Sequence, residues 1–140
     1  MARKVTQLPN AGAANHGVVV AVRAYYLEEQ SKPDQHRYVF AYRVTIENTG
    51  PDVVQLLRRR WRITDARGHT EHVAGDGVLG EQPEIAPGGS FDYMSGTPLP
   101  TPSGFMDGVY EMVVVASGAA FDVAIPAFSL DSPHADGRVH

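Results

Sequence analysis

The sequence has 140 residues, of which 43% are hydrophobic and 20% charged, a composition typical of one globular domain and not of a disordered chain. It contains no cysteine, which excludes a disulfide scaffold, a thiolate metal centre and a cysteine nucleophile, and which fits a reducing compartment. The formal net charge of −4 argues against non-specific binding to nucleic acid. We expect neither a signal peptide nor a segment that crosses a bilayer, and therefore predict a cytoplasmic protein.

The chain is predicted to form one domain with a flexible segment at each end. We expect a flexible N-terminal arm over residues 1–16, a folded domain over 17–130 and a flexible C-terminal tail over 131–140. In the folded part, β-branched and aromatic residues alternate with polar ones, which is the period of a half-buried strand. Residues 96–108 read as irregular, because they contain three prolines and three glycines. The predicted strands are 18–27, 40–47, 53–65, 69–73, 90–94, 109–116 and 121–125.

About seven short strands without any helical periodicity predict an all-β fold. The arrangement that buries their apolar faces is an immunoglobulin- or fibronectin-III-like β-sandwich of antiparallel strands, although a small β-barrel satisfies the same pattern. Trp61 is the only tryptophan, and we predict that it lies at the centre of the core. The face of the third strand that is predicted to be buried carries Leu57, Arg59, Trp61 and Ile63.

A glycine-rich stretch follows the fourth predicted strand, and its sequence is Gly75-Asp76-Gly77-Val78-Leu79-Gly80-Glu81-Gln82-Pro83. It contains the pattern GxGxxG, which binds a dinucleotide pyrophosphate when a helix begins directly after the glycines. Here Pro83, Pro87 and a Gly-Gly pair follow within nine residues of Gly80, so no such helix can form. We therefore predict that the glycines supply positive φ angles in a long, ordered loop.

Four spaced motifs follow one another along the chain: Leu57-x-Arg59-x-Trp61-x-Ile63-x-Asp65, Gly75-x-Gly77-Val78-x-Gly80-Glu81-Gln82-Pro83, Pro87-Gly88-x-x-Phe91-x-Tyr93-x-Ser95-Gly96, and Thr101-x-x-Gly104-x-Met106-x-Gly108-x-Tyr110. In this order they resemble the ApaG (CorD) family, over residues 17–130. The resemblance implies a fibronectin-III-like sandwich and no enzymatic activity. It also implies a link by phenotype to cobalt and magnesium resistance or efflux. Related eukaryotic domains occur in an F-box protein and in a DNA-polymerase-interacting protein, which implies a partner-binding role.

Two residue groups have ligand types that suit a cation. His69, Glu71 and His72 are close in sequence, and cobalt tolerates imidazole, but only His69 and Glu71 share a strand face. Asp76 and Glu81 are oxygen ligands of the kind that a hydrated magnesium ion prefers. In both cases the alternative is a set of solvated surface side chains.

Other polar residues give weaker indications. Arg58, Arg60 and Arg62 form a basic stripe that suits a phosphate or an acidic partner, or else a solvated sheet face balanced by neighbouring acids. Neither Ser95 nor Ser103 is followed by a histidine and an acid in the order of a catalytic relay. No catalytic residue, resident metal or cofactor is predicted.

The glycine loop is the site that the sequence favours. We predict a non-enzymatic binding module that presents this loop to a protein partner, with neither a membrane nor nucleic acid as the partner. The alternative is a small-ligand binder that holds a pyrophosphate-containing nucleotide or a divalent cation at Gly75–Gly80. The residues predicted to contact the partner or ligand are Gly75, Asp76, Gly77, Gly80, Glu81 and Gln82.

Overall fold

The computed structural model describes residues 15–136. Residues 1–14, which include most of the predicted arm, and 137–140, at the end of the predicted tail, lie outside the described part. The described part contains three 3₁₀ turns, at Glu28–Gln30, Pro33–Gln35 and Pro133–Asp136. It contains eight strands: β1 (Val18–Tyr26), β2 (Tyr38–Asn48), β3 (Val54–Asp65), β4 (Thr70–Asp76), β5 (Glu84–Ile85), β6 (Ser90–Leu99), β7 (Ser103–Val114) and β8 (Ala120–Asp131).

The strands form two antiparallel sheets, which confirms the predicted all-β sandwich. One sheet has the order β1-β2-β6, and the other has the order β4-β3-β7-β8 with β5 also paired to β3. Because β7 occupies one edge of β3, β4 and β5 lie one after the other along its opposite edge. No helix within residues 15–136 is both long enough and apolar enough to cross a bilayer.

An aromatic cluster around Trp61 fills the space between the sheets. Trp61 is 4% exposed, which confirms its predicted place in the core. Its ring centroid lies 5.3 Å from that of Tyr42, 6.0 Å from that of Phe128 and 6.3 Å from that of Tyr110, each in an edge-on arrangement. This is the geometry that aromatic quadrupoles prefer, so the cluster joins strands of both sheets through well-oriented contacts.

A β-bulge in β3 corrects one detail of the predicted strand. The pairing of β3 with β7 shifts between Leu56 and Arg58, which leaves Leu57 as the extra residue. Leu56 is fully buried before the bulge and Trp61 is buried after it. Leu57, which was predicted to share the buried face with Trp61, is only partly buried. Strict alternation along the sequence gives no sign of such an extra residue.

The prediction that residues 96–108 are irregular is wrong, because only residues 100–102 lie outside β6 and β7. Pro98 is tolerated since β6 is an edge strand, where a missing N–H breaks no ladder bond. Gly108 faces the backbone of β3 so closely that a Cβ would lie 2.2 Å from the carbonyl oxygen of Arg60. Pro98 therefore marks an edge strand and Gly108 marks the close approach of two backbones, and neither marks a loop.

Asn48 connects several elements at one end of the sandwich. It is fully buried, and its Nδ2 donates to the carbonyl oxygens of Asp52 at 2.7 Å and Ile85 at 2.9 Å. Its Oδ1 accepts the N–H of Gly50 at 3.0 Å, and its own N–H donates to the carbonyl oxygen of Gly89 at 2.9 Å. These bonds fix β5, and hence the end of the glycine loop, relative to β2.

Replacing Trp61 tests the core. We expect Trp61→Ala to lower the free energy of unfolding by about 3–5 kcal/mol, because the cavity cannot be filled by its edge-on neighbours. Equilibrium unfolding in urea measures this difference. A loss below about 1 kcal/mol, as for a surface substitution, would contradict the buried position.

Candidate functional site

The predicted glycine loop begins within β4, whose last residues are Gly75 and Asp76, and leads to β5 along the edge of β3 opposite β7. At its start the N–H of Gly77 donates to the carbonyl oxygen of Leu57 at 2.8 Å. At its end the N–H of Leu56 donates to the carbonyl oxygen of Pro83 at 3.1 Å. Both bonds fall at the β-bulge, so the loop projects from the edge of the sheet at this point. A strand and not a helix follows the glycines, which confirms that they shape a bend.

The tip of the loop is a tight turn over residues 78–81. The N–H of Val78 donates to the carbonyl oxygen of Glu81 at 2.8 Å, and the N–H of Glu81 donates back to Val78 at 2.9 Å. Leu79 has a φ of 49° and Gly80 a φ of 80°, the pair of left-handed angles that a type I′ turn requires. Val78 is 1% exposed and belongs to the core, whereas Leu79 is 62% exposed. The turn is therefore anchored by Val78 and displays Leu79.

The side chain of Arg59 holds the beginning of the loop. Its Nη1 donates to the carbonyl oxygens of Asp76 at 3.1 Å and Gly77 at 2.8 Å. Arg59 lies opposite Gly75 in the β3–β4 pairing, and a Cβ at Gly75 would lie 3.0 Å from the guanidinium nitrogens. Gly75 thus leaves the space that this planar group occupies. We call this arrangement the Arg59 clamp.

Gly77 and Gly80 have the positive φ angles predicted for the glycines, whereas Gly75, which lies in β4, does not. Gln82 has a structural role that the sequence did not reveal. Gly77 has a φ of 60°, and a Cβ there would lie 2.1 Å from the carbonyl oxygen of Glu81. The Nε2 of Gln82 donates to the carbonyl oxygen of Leu57 at 3.0 Å, and the carbonyl oxygen of Gln82 accepts from Nε2 of Gln55 at 3.0 Å. Both residues shape the loop, so their predicted contact with a partner would come second to this role.

Asp76 and Glu81 carry the charge of the loop. Both side chains are exposed, and the Asp76 carboxylate lies 2.8 Å from Nη1 of Arg58. An exposed ion pair of this kind contributes about 0–1 kcal/mol, since water solvates both groups well. The Asp76 carboxylate can therefore exchange Arg58 for a cation on another molecule at little cost.

Acids on neighbouring strands balance the basic stripe of Arg58, Arg60 and Arg62. This supports the interpretation of the stripe as a solvated sheet face. The ion pairs, at 2.7–3.6 Å, are Arg58–Asp76, Arg58–Glu111, Arg60–Glu111, Arg60–Asp122 and Arg62–Asp107. Arg62 donates to both carboxylate oxygens of Asp107, at 2.9 and 2.7 Å. These hydrogen bonds and the positive charge of Arg62 hold the pKa of Asp107 below its usual range, although partial burial acts in the opposite direction. Each arginine of the stripe is therefore paired with at least one carboxylate, which leaves little positive charge to attract an anion.

His72 of β4 and His69, which directly precedes that strand, are not gathered into a metal centre. Residues 15–136 contain no group of three or more His, Asp or Glu side chains placed to hold a metal ion. Instead, Nδ1 of His69 lies 3.7 Å from the Asp65 carboxylate, which also accepts the N–H groups of Arg67 at 2.8 Å and His69 at 3.0 Å. Burial raises the pKa of Asp65, but the N–H bonds from His69 and Arg67 together hold it below its usual value. These contacts order the turn between β3 and β4.

The backbone N–H groups of the loop are arranged unlike those of a phosphate-binding turn. Those of Gly77, Val78 and Glu81 donate to carbonyl oxygens within the fold at 2.8–2.9 Å. A pyrophosphate site needs several such groups to point at the ligand from the N-terminus of a helix. The geometry therefore gives the nucleotide alternative little support.

Three tyrosines near Arg59 form a buried polar cluster that sequence reasoning missed. The hydroxyl groups of Tyr93 on β6 and Tyr110 on β7 are hydrogen-bonded to each other across the two sheets. Burial raises the pKa of both phenols, and burial likewise raises the pKa of Tyr42 against the opposing effect of a hydrogen bond with Ser95. The phenols thus stay neutral, and Ser95 acts as a partner of Tyr42.

The fold and the loop together define a class of protein. This class is a small antiparallel β-sandwich that carries a rigid, internally bonded turn at one sheet edge.

Residues 28–114 match the profile of the ApaG domain, and the chain belongs to the ApaG domain family. The chain is 60% identical over 119 residues to Protein ApaG of Rhodospirillum centenum, covering 85% of this chain and 91% of that protein. It is 56% identical over 128 residues to Protein ApaG of Parvibaculum lavamentivorans, covering 91% and 98% respectively.

Solved structures show the same fold. The crystal structure of the ApaA protein from Bordetella pertussis superposes with a TM-score of 0.80 at 47% identity, over 83% of this chain and 94% of that one. The C-terminal domain of Wzt gives a TM-score of 0.52 at 10% identity, a likeness that concerns the fold alone.

Two glycines of the loop provide a matched test of its geometry. We expect Gly77→Ala to destabilise the protein by about 3 kcal/mol or more, because its Cβ would meet a backbone oxygen at a positive φ. Gly80→Ala should cost only about 1 kcal/mol, since Gly80 also has a positive φ but no atom lies within 4 Å of its Cβ position. Thermal and urea unfolding compare the two. Equal losses would show that the bend is not held by the bonds described.

Proposed function

We propose that this chain is a non-enzymatic protein-binding module whose recognition element is the tip of the 75–83 loop. The observation that carries the proposal is Leu79. It is the most exposed of the large hydrophobic side chains in the described part of the chain, at 62%. It also has a left-handed backbone conformation, with a φ of 49°.

Two unfavourable features coincide at Leu79. A large aliphatic side chain in water forgoes the burial energy of roughly 1.5–3 kcal/mol that it would gain inside a protein. A left-handed backbone in a residue with a Cβ costs on the order of 1 kcal/mol more, and Asn, Asp or Gly would avoid both costs. Neither feature stabilises the fold, so both support a role for Leu79 in contact with another molecule.

The rigidity of the turn makes Leu79 suitable for recognition. Val78 is fixed in the core and Gly77 is held by the Arg59 clamp, so the tip is already ordered before a partner arrives. Preorganisation of this kind reduces the entropy that binding must overcome. The exposed carboxylates of Asp76 and Glu81 lie on either side of the tip in sequence, which favours a partner whose apolar pocket has a basic rim.

The cellular setting belongs to the same proposal. The absence of cysteine fits the reducing cytoplasm, and we extend the proposal to cobalt and magnesium resistance, the phenotype that the family resemblance implies. In this proposal the module affects metal homeostasis only by binding its protein partner, and the partner is the protein that interacts with the ions.

Substitution of Leu79 provides the test. Affinity purification from the native cell should recover specific partners with the wild-type chain and lose them with Leu79→Asn. Asn is chosen because it tolerates the left-handed conformation, so the turn and the thermal stability should be preserved.

Val115→Asn is the matched control, because Val115 is an exposed aliphatic residue, 42% accessible, in the turn that follows β7. It should retain every partner of the wild type. Partners that survive Leu79→Asn, or that are lost equally with Val115→Asn, would remove the loop tip from the recognition surface.

The small-ligand alternative has a separate test. Titration with ATP, a dinucleoside polyphosphate, Mg²⁺ or Co²⁺, followed by amide NMR shifts, should leave residues 75–80 unperturbed at micromolar ligand, because the N–H groups of Gly77, Val78 and Glu81 already donate within the fold. Saturable shifts confined to those residues would favour the small-ligand function over the protein-binding one.

A further inference from the structure

The free edge of β4 differs from the other sheet edges. Each of the other edge strands has a feature that protects it from pairing. β6 and β8 each contain a proline, β1 packs beside β8, and β5 has only two residues. Natural sheets commonly protect their edges with proline, lysine or very short strands. β4 is seven residues long and contains no proline, lysine or arginine, and its two charged residues, Glu71 and Asp76, lie towards its ends and leave its middle uncharged.

The hydrogen bonds of β4 show which of its backbone groups are directed outwards. The N–H of Gly77 donates to Leu57, and the carbonyl oxygen of His69 accepts from Asp65, so the odd-numbered residues are bonded to β3. Hydrogen-bonded and non-bonded pairs alternate along an antiparallel ladder. The N–H and C=O groups of Thr70, His72 and Ala74 therefore point away from β3, along the open edge.

Val73 is an exposed apolar residue at the middle of this edge. It pairs with Trp61 of β3 and so lies on the inner face of its sheet, yet it remains 39% exposed. An aliphatic residue in that position is left uncovered by the opposite sheet. A strand added to β4 would cover it.

The sequence of β4 is complementary to itself in one antiparallel register. With a two-fold axis at Val73, each valine faces its symmetry mate in a non-hydrogen-bonded pair, where side chains approach most closely. In the same register, His72 bonds across to Ala74 of a second copy, and Thr70 lies opposite Asp76. Glu71 comes opposite Gly75, over which the Arg59 guanidinium lies. Backbone bonds, an apolar centre and opposite charges thus coincide.

We propose that β4 is an interface through which a second copy of this chain pairs edge to edge, joining the two larger sheets into one continuous antiparallel sheet. The contact is separate from Leu79 and does not depend on the protein-binding function. A single strand pair buries less than the roughly 1,200–2,000 Å² of a standard interface, so the dimer forms only at high protein concentration. Two-fold pairing of identical surfaces closes on itself and does not propagate.

The absence of cysteine allows a direct test of the register. Val73→Cys introduces a unique thiol, and Cα atoms in a non-hydrogen-bonded pair are close enough for a disulfide. Under mild oxidation this variant should form a covalent dimer at least tenfold faster than Val19→Cys, whose thiol is on another exposed strand position, 50% accessible. Equal rates of cross-linking would overturn the proposal.

Sedimentation equilibrium supplies a second measurement. The wild-type mass should rise towards that of a dimer as concentration increases from about 10 µM to about 1 mM, the range expected for a small interface. His72→Pro removes an outward N–H, and Val73→Lys places a charge at the axis, so both should stay monomeric while retaining the wild-type circular dichroism.

Two control variants complete the comparison. Val19→Lys and Leu79→Asn leave the β4 edge intact and should dimerise as the wild type does. A wild-type chain that remains monomeric at about 1 mM would refute the pairing. Loss of the dimer in Leu79→Asn would show that the contact runs through the loop tip instead of the edge.

Discussion

The contact between the Arg59 guanidinium and the carbonyl oxygens of Asp76 and Gly77 organises the edge of the sheet from which the 75–83 loop projects. An arginine on the inner face of a sheet must satisfy its donors, and here backbone carbonyl groups of the loop do so. The need for space around the guanidinium explains Gly75, whereas Gly77 is required by its positive φ and by the nearby carbonyl oxygen of Glu81. The glycines of a pattern that resembles a nucleotide-binding motif therefore have separate structural causes.

The β-bulge at Leu57 is what makes this contact available. Val54 and Leu56 point into the core, so uninterrupted alternation would have turned Arg58 inwards and Arg59 outwards. The extra residue reverses the phase of the strand, and both Arg59 and Trp61 consequently face the interior. The carbonyl oxygen of Leu57 then accepts from both Gly77 and Gln82, so the same irregularity aims the arginine and receives the loop.

The sequence predicted those features that depend on periodicity and on local backbone preferences. Alternation placed Trp61 in the core, and the prolines after Gly80 excluded a helix at the glycine pattern. What it could not predict depends on contacts between distant residues. The bulge at Leu57 and the Tyr93–Tyr110 hydroxyl pair appear only when β3, β6 and β7 are placed together. Residues 96–108 were misjudged because proline and glycine at a sheet edge, or beneath a neighbouring backbone, have the same sequence signature as a loop.

The isolation of the loop tip has an evolutionary consequence. Leu79 is 62% exposed, and a Cβ at Gly80 would have no atom within 4 Å, so side chains at these two positions contribute little to the packing that stabilises the domain. Mutations there change the exposed surface of the tip without lowering the free energy of unfolding, as long as the new pair accepts left-handed backbone angles. Val78 and the Arg59 clamp would hold any such pair in the same position. Under the proposed function, binding specificity diversifies through substitutions at these two positions, while the sandwich beneath them stays unchanged.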